Sequence, residues 1–122
     1  MPDPETRVRL TTRPAAFGAA PTVVSFAAPF RGGTLTLAYV PDRDLITVEN
    51  LAPYLRGIVP GTSEQAAAVI AEDIANDLVP RWYRVGLVVT VDGITQTVVV
   101  EDRQPGWDHP SLLTAVPPPG AA

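Results

Sequence analysis

The sequence predicts an α+β fold in which a four-stranded antiparallel sheet is covered on one face by helices. Segments in which apolar and polar residues alternate occur in pairs towards both ends of the chain, which is typical of half-buried strands. Between the two pairs lies a segment whose apolar residues recur every four positions, which is typical of an amphipathic helix. We therefore expect the order β-β-α-α-β-β over residues 22–101.

The first predicted hairpin follows an N-terminal arm, residues 1–21, in which one short strand is expected. Residues 22–27 are rich in β-forming side chains, and we expect this strand to end at Pro29. Residues 34–40 alternate cleanly, and their apolar face consists of Leu35, Leu37 and Tyr39. Consecutive glycines between the two segments favour a tight turn.

Two helices are predicted in the middle of the chain. Residues 48–58 have the apolar spacing of a short helix, provided that Pro53 lies in its first turn, where a missing N–H breaks no hydrogen bond. Thr62 and Gln65 have the spacing of a capping box, which satisfies free backbone N–H groups at a helix start. The helix that follows ends at Pro80, and Glu72, Asp73 and Asn76 lie off its apolar stripe of Ala66, Ile70, Ile74 and Leu78.

The second predicted hairpin joins residues 82–91 to residues 94–101 through Asp92 and Gly93, both of which tolerate positive φ. One face of the hairpin consists of Tyr83, Val85, Leu87, Val89, Val91, Ile94, Val98 and Val100. Repeated prolines predict an extended or disordered tail over residues 102–122. A sheet covered on one face leaves its other face and its edges in need of partners, so we expect a homo-oligomer.

The composition excludes several kinds of chemistry. The formal net charge is −4, which argues against binding to nucleic acid or to anionic membranes. There is no cysteine or lysine for a thiolate nucleophile or a Schiff base, and the single histidine, His109, leaves no histidine-rich metal site. We therefore expect no metal and no cofactor. Because no secretory signal and no apolar run of membrane-spanning length is visible, the sequence predicts a cytoplasmic protein.

A series of four segments resembles the tunnelling-fold (T-fold) superfamily. These segments are GTLTLAYVPD at 33–42, LAPYL at 51–55, Glu64 ahead of IAEDI at 70–74, and PRWYRV at 80–85. Within the superfamily the series resembles the QueF-like nitrile reductases, which reduce 7-cyano-7-deazaguanine with NADPH; GTP cyclohydrolase I has a similar layout. The resemblance covers residues 22–101. It implies a subunit that closes into a barrel with its copies and binds a purine- or pterin-like ligand at subunit interfaces.

The reactive groups of these families are missing from the matching positions. Counted along the first hairpin, the nucleophilic cysteine of the reductases falls near Val24 and their catalytic aspartate near Arg31. The Arg-Gly pair associated with the phosphates of NADPH falls on Val91 and Asp92, and the zinc ligands of GTP cyclohydrolase have no counterpart. The sequence therefore predicts neither a cysteine-dependent nitrile reductase nor a zinc cyclohydrolase, and it identifies no catalytic residue.

The substrate-binding positions of the family are partly preserved, since one glutamate is retained and the histidine beside it is not. Its His-Glu pair falls on Ser63 and Glu64, and its second glutamate falls on Thr47 or, after a shift of two residues, on Glu49. A carboxylate at position 64 matches two adjacent N–H donors of a guanine-like ring, and in that role it should be partly buried. The alternative interpretation is a first-turn glutamate that faces water and favours the helix dipole.

Two further residues are candidate ligand contacts. Glu49 is either a ligand contact or an ordinary acid at a helix start. Arg31 precedes the glycines of the first hairpin and either contacts an anionic group of a ligand or is a solvated turn residue.

Three functions remain open from the sequence. The first is a non-reductase protein that binds a small planar heterocycle. The second is an enzyme with altered acid/base chemistry on a purine- or pterin-type substrate, using Glu64 or Glu49. The third is a structural or regulatory subunit.

Overall fold

The computed structural model describes residues 10–14 and 20–119, and their elements follow the predicted order. Residues 1–9 and 15–19 of the expected N-terminal arm lie outside the described residues. The elements are β1 (Arg13–Pro14), β2 (Val24–Phe30), β3 (Gly33–Val40), β4 (Asp44–Leu45), α1 (Val48–Arg56), α2 (Ser63–Asp73) with a π-helical turn (Ile74–Leu78), β5 (Trp82–Val91), β6 (Ile94–Arg103) and α3 (Pro110–Leu113). The short β1 pairs with β4 beside the main sheet.

The main sheet is antiparallel and has the strand order β2-β3-β5-β6. Its register pairs Gly33 with Val89, so the two hairpin turns lie at the same end of the sheet, which we call the turn end. The loop between α1 and α2 lies there too, because the guanidinium of Arg31 donates a hydrogen bond to the carbonyl oxygen of Ile58. The turn end therefore joins three loops of the chain.

The expectation that the first strand ends at Pro29 is wrong, since β2 continues to Phe30. Phe30 faces Gly33 across a two-residue turn, and this closing pair of a hairpin is a hydrogen-bonded pair. The backbone nitrogen at position 29 then points away from β3, towards the open edge of β2. A proline at position 29 therefore removes no hydrogen bond from the ladder.

The expectation for Pro53 is also wrong, because the proline lies inside α1 rather than in its first turn. Thr47 caps the helix by accepting a 3.3 Å hydrogen bond from the backbone N–H of Asn50, and helical geometry begins at Val48. Pro53 therefore costs the helix one backbone hydrogen bond. Burial of Leu51 and Tyr54 offsets this loss, since tertiary packing supplies most of the stability of a short helix.

The capping box at the start of α2 is confirmed. The N–H of Gln65 donates to the hydroxyl of Thr62 at 3.1 Å, and the N–H of Thr62 donates to the amide oxygen of Gln65 at 2.9 Å. The four residues of the predicted apolar stripe are all buried: Ala66, Ile70, Ile74 and Leu78. The π-helical turn ends at Val79, whose φ of 49° is left-handed and turns the chain before Pro80.

The core lies between the helices and the front face of the sheet. The predicted faces are confirmed for β3 and β5, since their front-face side chains are almost fully buried: Leu35, Leu37, Tyr39, Tyr83, Val85 and Leu87. On β6, Val98 and Val100 pack against the same core and stay partly exposed. The α+β architecture is therefore confirmed, with α1 and α2 on the front face of the sheet.

The back face of the sheet is partly covered by the C-terminal segment, residues 104–119. Trp82 is fully buried on this face and packs with Val40 and Val116 in a second apolar cluster. Further along the segment, Pro119 lies so close to Gly86 that a Cβ added to the glycine would be 2.9 Å from the proline Cβ. An extended or disordered tail is therefore the wrong expectation for residues 102–119, because β6 continues to Arg103 and one of the prolines starts α3.

Candidate functional site

Glu64 lies at the turn end, in the first turn of α2, and is exposed. Its carboxylate accepts a hydrogen bond from the side-chain amide of Gln96 on β6. The partly buried carboxylate expected for a ligand-binding role is therefore not found within a single chain. The glutamate is nevertheless oriented, because the amide ties the helix start to the edge strand.

A depression of about 560 Å³ lies beside Glu64, bounded by Ser63 and by the tip of the second hairpin. Its apolar walls include Val91, which is 62% exposed, and Ile94, which is 73% exposed. Gln96 lies on the same wall and presents the amide that Glu64 accepts. Apolar walls with a few polar groups are the usual composition of a small-molecule site.

Arg31 lies at the turn end on the other hairpin, with a φ of 49°. Its guanidinium carbon is 4.9 Å from the centre of the Phe30 ring, within the range of a cation–π contact. Together with the hydrogen bond to the carbonyl of Ile58, this contact holds the side chain against the protein. The side chain of Arg31 is thus fixed by two contacts with the protein and is not an unconstrained surface arginine.

Glu49 is not brought together with the other two candidates. It lies in the exposed first turn of α1, next to the N-cap Thr47. The backbone N–H of Ile46 donates a 2.9 Å hydrogen bond to the hydroxyl of Tyr39, which fixes this region at the end of the sheet opposite the turn end. Because α1 has nine residues and a rise of about 1.5 Å per residue, Glu49 is about 10 Å or more from the loop that Arg31 contacts.

The sequence of this chain is similar to those of several bacterial reductases. A NADPH-dependent 7-cyano-7-deazaguanine reductase of Acidithiobacillus ferrooxidans is 32% identical over 84 residues, which are 66% of this chain and 60% of that protein. A reductase of the same name from Syntrophus aciditrophicus is 35% identical, over 62% of this chain and 56% of that protein. Another, from Nitrosococcus oceani, is 34% identical, over 66% of this chain and 64% of that protein. The chain thus spans less than two thirds of each relative. No family model matches it.

Among solved structures, the apo form of the archaeosine synthase QueF-Like matches this fold. The TM-score is 0.59 at 16% identity, over 68% of this chain and 95% of that chain. The chain is a T-fold relative of the 7-cyano-7-deazaguanine reductases. The predicted T-fold is therefore confirmed for the single chain.

The first hairpin separates Val24 and Arg31, the two positions at which the resemblance led us to expect the reactive groups of the reductases. Val24 pairs with Tyr39 at one end of β2, whereas Arg31 follows the other end. At about 3.3 Å per residue along a strand, the two positions are about 20 Å apart.

Two residues of this QueF-like chain were not identified as important from the sequence. Gln96 occupies a front-face position between Ile94 and Val98, and this polar interruption of an apolar face was the available signal. Asp73 lies off the apolar stripe of α2 but is buried, and its carboxylate accepts a hydrogen bond from the hydroxyl of Tyr54. Nothing in the sequence periodicity distinguishes Asp73 from the exposed Glu72 beside it.

The pKa values of two buried tyrosines, Tyr39 and Tyr83, are raised. Burial raises the pKa of Tyr39, although the hydrogen bond from Ile46 opposes this shift. Burial also raises the pKa of Tyr83, and the negative charge of Asp102 adds to the effect. Both hydroxyls stay neutral near physiological pH, so neither supplies a base.

Among residues 10–14 and 20–119, no three or more His, Cys, Asp or Glu side chains lie close enough together to hold a metal ion. Over the same residues, none of the helices has the length and apolar character needed to cross a membrane.

Proposed function

We propose that this chain binds a planar heterocycle of purine or pterin type at an interface between two of its copies, and that it does not reduce a nitrile. The observation that carries the proposal is the contact between Glu64 and Gln96 at the rim of the apolar depression. The amide of Gln96 offers the carboxylate an N–H donor of the kind that the edge of a guanine-like ring presents. A ligand would replace this donor with two of its own.

The placement of the two glutamates favours a site shared between subunits. Glu64 lies at the turn end and Glu49 at the opposite end, so one chain cannot present both to one small ring. Exposed Val91 and Ile94 beside Glu64 provide an apolar surface that a second copy would cover. Covering it would also remove water from the carboxylate, which strengthens a charge-assisted hydrogen bond.

The composition supports the absence of nitrile reduction from this proposal. The thioimide intermediate of the resembled reductases requires a thiolate, and the sequence contains no cysteine. The hydroxyls and carboxylates of the depression hold or orient a ligand, but they do not replace that nucleophile.

The test is calorimetric titration of a purine and pterin panel into the wild type, Glu64→Gln and the control Glu72→Gln, which alters an exposed glutamate further along α2. We expect Glu64→Gln to lose about 1.5–3 kcal/mol of binding free energy, roughly 10- to 150-fold in affinity. The control should bind as the wild type does. Folding should change by no more than about 1 kcal/mol, which thermal melts would check. Equal affinity of wild type and Glu64→Gln, or no binding by the wild type, would refute the proposal.

A further inference from the structure

A second pocket at the turn end, of about 440 Å³, lies between β2 and α1. Its walls include the apolar side chains of Phe30 and Leu55, and its two charged residues are Arg31 and Arg56. No acidic residue lines it. Among the described residues, the arginines that form ion pairs with carboxylates are Arg81, Arg84 and Arg103, and none of these lines the pocket.

The backbone at Arg31 lies in the left-handed region. Arg31 and Gly32 both have positive φ, at 49° and 79°, as in a tight hairpin turn that favours asparagine or glycine at both central positions. An arginine there carries backbone strain, as Val79 and Asp92 do in their own turns. Here the strained residue directs its guanidinium over Phe30, at the pocket wall.

Within the described residues, both arginines have guanidinium N–H groups that are available to a ligand. Arg31 uses one N–H for the carbonyl of Ile58, and among the described residues its remaining guanidinium N–H groups have no acceptor. Arg56 lies in the exposed last turn of α1, and within the same part of the chain it forms no ion pair. A guanidinium presents several N–H groups in a planar fork that matches a carboxylate or phosphate.

We infer that this pocket binds the anionic group, carboxylate or phosphate, of a ligand whose apolar planar body lies against Phe30 and Leu55. This pocket shares no lining residue with the depression beside Glu64, so within one chain the two are separate sites. The inference rests on the proposed function only for the heterocyclic nature of the planar body, whereas the preference for an anion rests on this pocket alone. The anionic group would distinguish the ligand of this pocket from 7-cyano-7-deazaguanine, the uncharged nitrile that the resembled reductases reduce.

The experiment compares matched neutral and anionic probes by calorimetry: guanosine with guanosine monophosphate, pterin with pterin-6-carboxylate, and phenol with phenyl phosphate. Arg31→Asn removes the cation while placing at this turn a residue that accepts the left-handed conformation. Arg56→Gln removes the second cation and keeps a good helix former. The control, Arg43→Gln, removes one exposed arginine from the loop after β3, at the opposite end of the sheet, and changes the net charge equally.

We expect at least one anionic probe to bind the wild type more tightly than its neutral partner. Arg31→Asn should weaken binding of the anion roughly 10- to 150-fold, Arg56→Gln should weaken it measurably, and Arg43→Gln should leave it unchanged. Equal affinity for both members of every pair, or unchanged anion binding in Arg31→Asn, overturns the inference. Neutral guanosine or pterin binding without an anion preference would leave the proposed function standing. Arginine-dependent binding of phenyl phosphate, with no binding of any heterocycle, would uphold the pocket and refute the proposed function.

Discussion

The hydroxyl of Tyr54 donates a 2.5 Å hydrogen bond to the carboxylate of Asp73 and thereby joins α1 to α2. Both residues are buried, with 1% and 6% of their surface exposed. Asp73 is the last residue of α2 before the π-helical turn, so the bond fixes one helix against the other where the backbone changes its winding. The spacing of the helices that carry Glu49 and Glu64 depends on this contact.

Tyr54→Phe should lower the free energy of unfolding by about 1–3 kcal/mol, because a buried carboxylate loses a donor. The matched control is Tyr83→Phe, since Tyr83 is also buried but its hydroxyl forms no hydrogen bond with the described residues. Urea denaturation of both variants measures the difference. Equal stability of Tyr54→Phe and Tyr83→Phe would show that the contact contributes nothing to folding.

The element order and most of the core were predictable from the sequence, whereas the tail and the site geometry were not. Strict alternation around Leu35 and the turn at Asp92-Gly93 are local signals, and local signals determine strands and turns. The fit of Pro119 against Gly86 depends on a partner more than thirty positions away, and proline-rich sequence carries no periodicity to reveal it. The same is true of Gln96 and Glu64, which are 32 positions apart.

Removing residues 105–122 should expose the back face of the sheet. Trp107 is lost with the segment, so Trp82 becomes the only tryptophan and reports directly on its own burial. We expect a red-shifted emission and a loss of at least about 2 kcal/mol of stability, as apolar contacts such as that of Val116 disappear. Deletion of residues 120–122 alone is the control and should change neither quantity. An unshifted emission in the longer deletion would contradict the packing of this segment.

Glu101 should make stability depend on pH. Burial disfavours its charge, but hydrogen bonds from Trp82 and Arg84, with the charges of Arg84 and Arg103, outweigh burial and hold the pKa of Glu101 below its ordinary value. A carboxyl group with a lowered pKa in the folded chain stabilises it above the unfolded pKa and loses that effect as pH falls through the folded pKa.

Glu101→Gln should therefore be less stable than the wild type at pH 7, and the difference should shrink once the pH falls below about 4.5 and vanish below the folded pKa. Chemical denaturation across pH 2–7 measures the two curves. Asp108→Asn, which removes a more exposed partner of Arg103, is the control and should follow the wild type closely. A stability difference that is independent of pH would contradict the role given to the charge of Glu101.

The protein should not reduce 7-cyano-7-deazaguanine with NADPH, because it has no thiol to form a covalent intermediate with the nitrile. The measurement is NADPH absorbance in the presence of the nitrile, with a cysteine-containing reductase as the positive control. Oxidation of NADPH that depends on the nitrile and stays with the protein through purification would show that this chain uses another nucleophile.

Assembly into a homo-oligomer should depend on the edge strand β6. In the second hairpin, Val91 and Ile94 close a two-residue turn as a hydrogen-bonded pair, so the backbone N–H groups at positions 95, 97 and 99 point away from β5. Pro29 interrupts the corresponding row on the β2 edge, whereas β6 contains no proline and exposes 46% of Val99. An open edge of this kind pairs readily with another strand.

Thr97→Pro removes one outward N–H without breaking the hairpin ladder, and Thr97→Ala is the control that keeps it. We expect light scattering to give a mass of at least two chains of 12.9 kDa for the wild type and Thr97→Ala. Thr97→Pro should dissociate at higher concentration than either, with an unchanged circular dichroism spectrum. A wild-type protein that is monomeric at micromolar concentration would remove the shared site on which the proposed function depends. An oligomer that Thr97→Pro leaves intact would mean that its subunits meet through a surface other than the β6 edge.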